Sequence, residues 1–192
     1  LYLLLARLFQ LLPIGSLAYR TNLLSAVAVV IATLLVYTLV IRSLSSVNPQ
    51  RDRLAGLASG FAFGLSPLVW SQAVITEVYG LHSLFVALLL TFSLNHLNFQ
   101  FPQRRLDCLL GLTIGLAMGN HITIIILLPI LFFGTILRQP TQAQGQGRMR
   151  NWQLSGWSML RRFIWLGIGL LVYLTLPLRA LSQPPVNWGN PV

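Results

Sequence analysis

Glu77 is the residue of this 192-residue chain best placed by type and position to do chemistry. It lies in the stretch SPLVWSQAVITEVYGL (66–81), between two apolar runs. A carboxylate in such surroundings is unfavourable unless it has a partner or a task. Two roles are open to it. It precedes a helical run and can cap that helix against the helix dipole. Alternatively, it orients a substrate hydroxyl or helps hold a divalent cation.

Other polar side chains suggest related chemistry. Asn120 and His121 sit together between two apolar runs and present hydrogen-bonding groups at one turn. They are either a turn-former and an interfacial histidine, or donors to a phosphate or a sugar hydroxyl. His82 follows Glu77 by just over one helical turn and either packs or faces the same space. Arg20 and Arg179 stand at helix ends and suit an anionic partner: Glu77, a lipid headgroup, or a phosphate gripped in bidentate fashion. Trp188, in VNWGNPV, suits either a sugar ring or the aromatic belt of a membrane interface. His96 reads as an interfacial residue. No phosphate-cradling glycine loop, GxSxG elbow or metal-ligand cluster at helical spacing occurs.

The elements that must position these residues follow from composition. The chain is 55% hydrophobic and only 8% charged, against about 25% charged in an average soluble domain. Its mean hydropathy is +0.73. A soluble fold of this length lacks the interior to hide so much apolar surface. The apolar stretches are continuous rather than alternating, which excludes a barrel. The fold class is therefore all-α, a polytopic transmembrane helical bundle. The single Cys108 excludes an internal disulfide and any cysteine-based metal site.

A membrane crossing takes about 20 helical residues. The clear candidates are 21–41, 54–71, 79–98 and 162–181, with 106–138 readable as one helix or two. Thirteen arginines and no lysine set against Asp52, Glu77 and Asp107 give a net charge of +10. In a soluble protein that would suggest nucleic acid. Here the arginines cluster in the short loops 42–53, 99–106 and 138–162, with Asp52 and Asp107 beside them. Such clustering signals cytoplasmic loops, so no nucleic-acid partner is expected. Putting all three loops inside splits 106–138 into crossings at 106–119 and 122–138. About six crossings result.

Residues 1–20 then form an external interfacial helix and turn, ended by Pro13 and Gly15. Residues 139–161 form a cytoplasmic linker, and 182–192 an external segment. Residues 1–12 lack the pattern of a signal peptide, and the chain reads as a piece of a longer protein. Glu77, Arg20, Asn120, His121 and Arg179 all fall on the external side.

Four segments carry a family resemblance: LPIGSLAYRTNLLSA (12–26), LSPLVWSQAVITEVYGL (65–81), GLAMGNHIT (115–123) and LPLRALSQPPVNWGNP (176–191). They resemble lipid-linked-sugar glycosyltransferases of the GT-C class. The closer likeness is to the protein O-mannosyltransferase-like family catalogued as domain of unknown function 2723, glycosyltransferase family 117. The resemblance implies transfer of a sugar, mannose-like, from a polyprenyl-phosphate carrier to an acceptor hydroxyl of a protein or glycan, with inversion, on the extracytoplasmic side. It implies membrane lipid as a partner; the expected setting is a bacterial inner membrane, with the endoplasmic reticulum as the alternative. No cofactor is required by it, though a divalent cation is compatible.

The same resemblance makes Glu77 a secondary site carboxylate. The main one is expected in an external loop upstream of this chain. Arg20 and Arg179 become candidates for the carrier phosphate, and Asn120 and His121 for sugar or phosphate hydrogen bonds. The family commonly reads NWGDP where this chain reads NWGNP, and Asn190 cannot ionise. A transporter or flippase-like carrier and a non-catalytic membrane subunit are the competing functions. Against the carrier stands the lack of charged residues at mid-helix.

Overall fold

A computed structural model describes residues 1–44, 48–94, 101–128 and 156–182. Within them the chain is helical and contains no strand. Helix α1 is Tyr2–Phe9, α2 Leu17–Leu44, α3 Pro49–Gly64, α4 Pro67–Ala73, α5 Val78–Ser93 and α6 Gln103–Met118. A 3-10 turn covers Ile122–Leu127. Helix α7, Gly156–Leu170, passes through a second 3-10 turn, Leu171–Leu174, into α8, Thr175–Leu181.

Among the described residues two helical runs are long and apolar enough to cross a membrane, Leu17–Leu44 and Gly156–Leu181. A helix rises about 1.5 Å per residue, so each exceeds the roughly 30 Å hydrocarbon core. Composition and these two runs make this a membrane protein. Helices α3 and α4 count as a third span if taken together, but they meet at a 64° bend. Helix α5 is apolar but has only 16 residues described, as does α6. The expectation of six crossings thus meets two helices of sufficient length, or three with the bent pair. Of the expected helix 122–138 only the opening 3-10 turn is described. Most of the expected linker 139–161 and nearly all of 182–192 lie outside the described residues.

Local chemistry moves several expected boundaries. Helix α2 runs on to Leu44 and takes in Arg42. The Asn48 side chain accepts from the backbone N–H groups of Gln50 (3.0 Å) and Arg51 (3.4 Å), and Pro49 supplies the first helical position. Arg51, Asp52 and Arg53 therefore lie in the first turn of α3, not in the expected loop. The expected single helix 54–71 breaks after Gly64. Pro67 cannot extend the hydrogen-bond ladder, and Ser66 caps the new start through Val69 N–H. Asp107 likewise lies one turn inside α6 rather than in a loop.

The core runs along the faces of α2, α5 and α6. Leu24, Ala28, Leu81, Phe85, Leu89, Leu110, Ile114 and Ala117 pack together with Tyr2 and Ala6 of α1. Helix α1 is therefore half sunk in the bundle, while Leu3 and Leu8 on its other side are exposed. The loop beyond it turns at Gly15, whose φ of +54° suits glycine.

Small residues let the backbones meet. Gly56, Gly60 and Gly64 of α3 face Ile41, Tyr37 and Thr33 of α2, so these two helices run antiparallel. Gly111 and Gly115 of α6 press against α7. A Cβ at Gly115 would lie 2.2 Å from the Leu166 carbonyl oxygen, and one at Gly169 would lie 2.7 Å from that of Leu112. Backbone cannot yield as a side chain tip can, so this crossing requires glycine.

The α6–α7 pair is also pinned by charge. Asp107, with 0% exposure, accepts from Ser158 Oγ (2.7 Å), Gln103 Nε2 (2.9 Å) and Arg162 Nε (2.9 Å) on Oδ1. Arg161 donates to Oδ2 through two nitrogens, at 2.8 and 3.2 Å. At the other end of α6 the Tyr173 hydroxyl donates to the Met118 carbonyl at 2.9 Å. Helices α6 and α7 therefore run parallel. The bundle has one end built on the Asp107 ion pairs and another where α6 finishes and α2 and α5 begin.

Candidate functional site

That second end gathers most of the polar residues singled out from the sequence. Glu77 occupies the N-cap position of α5 in an extended backbone conformation, φ −140° and ψ 155°. A capping carboxylate would accept from an N–H of the first turn. Glu77 makes no such bond. Its side chain is exposed, and no hydrogen bond or ion pair to it is present among the described residues.

The backbone around it is held closely. The Ser25 hydroxyl donates to the Glu77 carbonyl at 3.4 Å, and Ser25 is itself 3.1 Å from the Tyr2 hydroxyl. The Thr76 hydroxyl donates to Thr21 Oγ1 at 2.9 Å and shares that donation with the Asn22 amide oxygen. On the other side Asn120 Nδ2 donates to the Val78 carbonyl at 3.1 Å. Gly80 seats the first turn of α5 directly on the Ser25 backbone, where a Cβ would stand 3.1 Å from the Ser25 carbonyl oxygen.

His121 caps the 3-10 turn: the Thr123 backbone N–H donates to its Nδ1 at 3.4 Å. Nδ1 is thus an acceptor, and the neutral ring carries its proton on Nε2. The Thr123 hydroxyl bridges the two imidazoles, 2.7 Å from His121 Nδ1 and 3.4 Å from His82 Nε2. The rings of His82 and His121 lie 5.2 Å apart, and Tyr79 is 5.4 Å from His121. Asn120 Oδ1 and His82 Nδ1 are buried and find no partner among the described residues.

The two outer arginines are placed differently. Arg20 donates to three backbone carbonyls, of Ile14 (2.7 Å), Gln10 (2.8 Å) and Gly15 (3.1 Å). Three of its five N–H groups thereby hold the turn between α1 and α2. Arg179 is exposed in α8 at this same end, and no contact joins it to Glu77 or the histidines. Trp188 and His96 lie outside the described residues.

The structure therefore brings Glu77, His82, Asn120 and His121 into one neighbourhood, with Arg20 at its edge through α2 and Arg179 apart. Among the described residues no three His, Cys, Asp or Glu side chains gather to hold a metal ion. Thr21, Asn22, Ser25, Thr76 and Thr123 complete the site, and the sequence does not single them out. Their one signal is the i, i+1, i+4 spacing of Thr21, Asn22 and Ser25 at the start of an otherwise apolar helix. Chemically, the end offers an accessible carboxylate that can accept a proton, and a pair of imidazoles bridged by Thr123, of which His121 can donate a hydrogen bond outward.

Comparison with known proteins gives this arrangement a family. No solved structure matches the chain. Over 194 residues it is 28% identical to the mouse protein O-mannosyl-transferase TMEM260, covering 99% of this chain and 26% of that protein. It is 23% identical over 189 residues to the Dictyostelium discoideum protein O-mannosyl-transferase tmem260, covering 91% of this chain and 21% of that protein. The chain thus spans about a quarter of the length of the curated relatives it matches. The sequence profile described as protein O-mannosyl-transferase TMEM260 N-terminal domain matches residues 1–144, three quarters of the chain, and the chain belongs to that family.

Proposed function

We propose that this chain forms part of a membrane-embedded mannosyltransferase acting on protein hydroxyl groups, with its chemistry at the Glu77 end of the bundle. The observation that carries this reading is the bare Glu77 carboxylate at the same end of the bundle as the His82–Thr123–His121 bridge. The names of the two relatives support the sugar and the protein acceptor. The likeness to GT-C enzymes supports a polyprenyl-phosphate donor. Arginines at the Asp107 end, with Arg51, Arg53, Arg104 and Arg105 exposed there, support placing that end in the cytoplasm and the Glu77 end outside. The parallel course of α6 and α7 supports the six-crossing arrangement.

In this reading Glu77, as the secondary carboxylate, orients the acceptor hydroxyl, and the hydroxyl proton passes to the main site carboxylate. The acceptor oxygen attacks the anomeric carbon, the bond from that carbon to the phosphate oxygen breaks, and polyprenyl phosphate leaves with the electron pair. His121 donates a hydrogen bond to the sugar or the leaving phosphate, and His82 supports it through Thr123. Arg179 supplies positive charge near the phosphate, and Arg20, three of whose N–H groups hold the α1–α2 turn, adds charge to the same end of the bundle.

The test is transfer by the full-length protein from polyprenyl-phosphate mannose to a Ser/Thr-containing acceptor, measured in detergent or nanodiscs. Transfer that falls in Glu77→Gln is the expected result. Folded protein that transfers nothing sinks the reading, and normal transfer by Glu77→Gln removes Glu77 from the site.

A further inference from the structure

Glu77 combines a tightly held backbone with an unengaged side chain. Side chains from two other helical segments reach three consecutive residues of its loop: Thr21 and Asn22 meet Thr76, Ser25 reaches the Glu77 carbonyl, and Asn120 reaches the Val78 carbonyl. The Gly80–Ser25 contact adds to the α2 side. A residue that served only to cap α5 would spend its carboxylate on the helix and would need no such support. Fixing the backbone while leaving the functional group free is the arrangement that preorganises a reacting group.

Resting on the transferase reading above, we propose that Thr76, Ser25 and Asn120 are positioning residues that hold the Glu77 backbone from α2 on one side and from the end of α6 on the other. The two supports are unlike in kind. The α2 support combines the hydroxyls of Thr21, Ser25 and Thr76 with the Asn22 amide oxygen, and ends on Tyr2 of α1. The α6 support is a single amide, whose other atom, Oδ1, is buried. Asn120 accordingly acts on the Glu77 loop rather than on the substrate. Small shifts of α1 or α6 are passed to the carboxylate through these bonds.

Thr76→Val in the full-length protein tests this, because it keeps the shape of an exposed side chain and removes only the hydroxyl. Amide hydrogen exchange over residues 75–80 is expected to quicken roughly fivefold, the effect of losing one ordinary hydrogen bond. In the mannosyl-transfer assay kcat is expected to fall roughly tenfold, with the donor KM within about twofold of wild type. Thr76→Ser, which restores the hydroxyl, is expected to recover both. Unchanged exchange in Thr76→Val overturns the clamp whether or not the protein is active. Faster exchange with an unchanged kcat overturns the positioning role. Wild-type protein that transfers nothing defeats the transferase reading alone, and the exchange result still decides whether these bonds hold the loop.

Discussion

Asp107 and Glu77 are two carboxylates of one bundle with opposite fates. Asp107 is fully buried and takes five hydrogen bonds from Gln103, Ser158, Arg161 and Arg162. Glu77 is exposed, and no hydrogen bond to its carboxylate is present among the described residues. About 13 residues of α6 and its cap, roughly 20 Å of helix, separate Asp107 from the Asn120 that supports the Glu77 loop. Every lone pair of the first carboxylate is committed to holding α6 against α7. The backbone of the second is committed, and its charge is left available. A satisfied buried ion pair serves architecture, whereas a supported but unpartnered carboxylate keeps its charge free for other partners.

The contrast can be broken most forcefully at Asp107. Asp107→Ala takes the carboxylate away from Arg162, whose side chain is 4% exposed. The expected loss is about 3–5 kcal/mol of stability, read as a lowered unfolding midpoint in detergent. Glu77→Gln should behave in the opposite sense. Its unfolding midpoint should match wild type to within about 0.5 kcal/mol, while transfer by the full-length protein falls by roughly a hundredfold or more. Equal stability losses in the two variants would erase the distinction drawn here.

Smaller effects sharpen it. Gly115→Ala drives a methyl group toward the Leu166 carbonyl oxygen, 2.2 Å from the ideal Cβ position. It should cost about 1–3 kcal/mol by forcing α6 and α7 apart. The two arginines on Asp107 should separate as well. Arg161 is 31% exposed at its side chain and Arg162 only 4%. Arg161→Ala should therefore cost at most about 1 kcal/mol, and Arg162→Ala distinctly more. Equal losses at the two positions would show that burial does not set the strength of this knot.

Much of the fold is legible in the residues themselves. Continuous apolar runs and arginine-rich breaks give an all-helical membrane protein, and the long helices α2 and α7–α8 follow directly. The break after Gly64 is also written locally, in Ser66 and Pro67, although 54–71 reads as one helix when only hydropathy is weighed. Asp107 is the instructive failure. Beside Arg104 and Arg105 it reads as part of a charged loop, but its ligands are Arg161 and Arg162, more than 50 residues away. No local pattern announces such a partnership.

The site shows the same division. Glu77, His121 and His82 stand out by type against an apolar background. The hydroxyl groups that support Glu77 do not, because Thr and Ser are unremarkable residues in a membrane helix.

By itself, then, the sequence determined the solvent of this protein, its helical class and the scarcity of its acidic groups, because those follow from composition and hydropathy along the chain. Only the tertiary structure decided which carboxylate is locked and which is free. That outcome depends on donors brought from distant helices, and a donor matters to a carboxylate only when folding puts it within hydrogen-bonding distance.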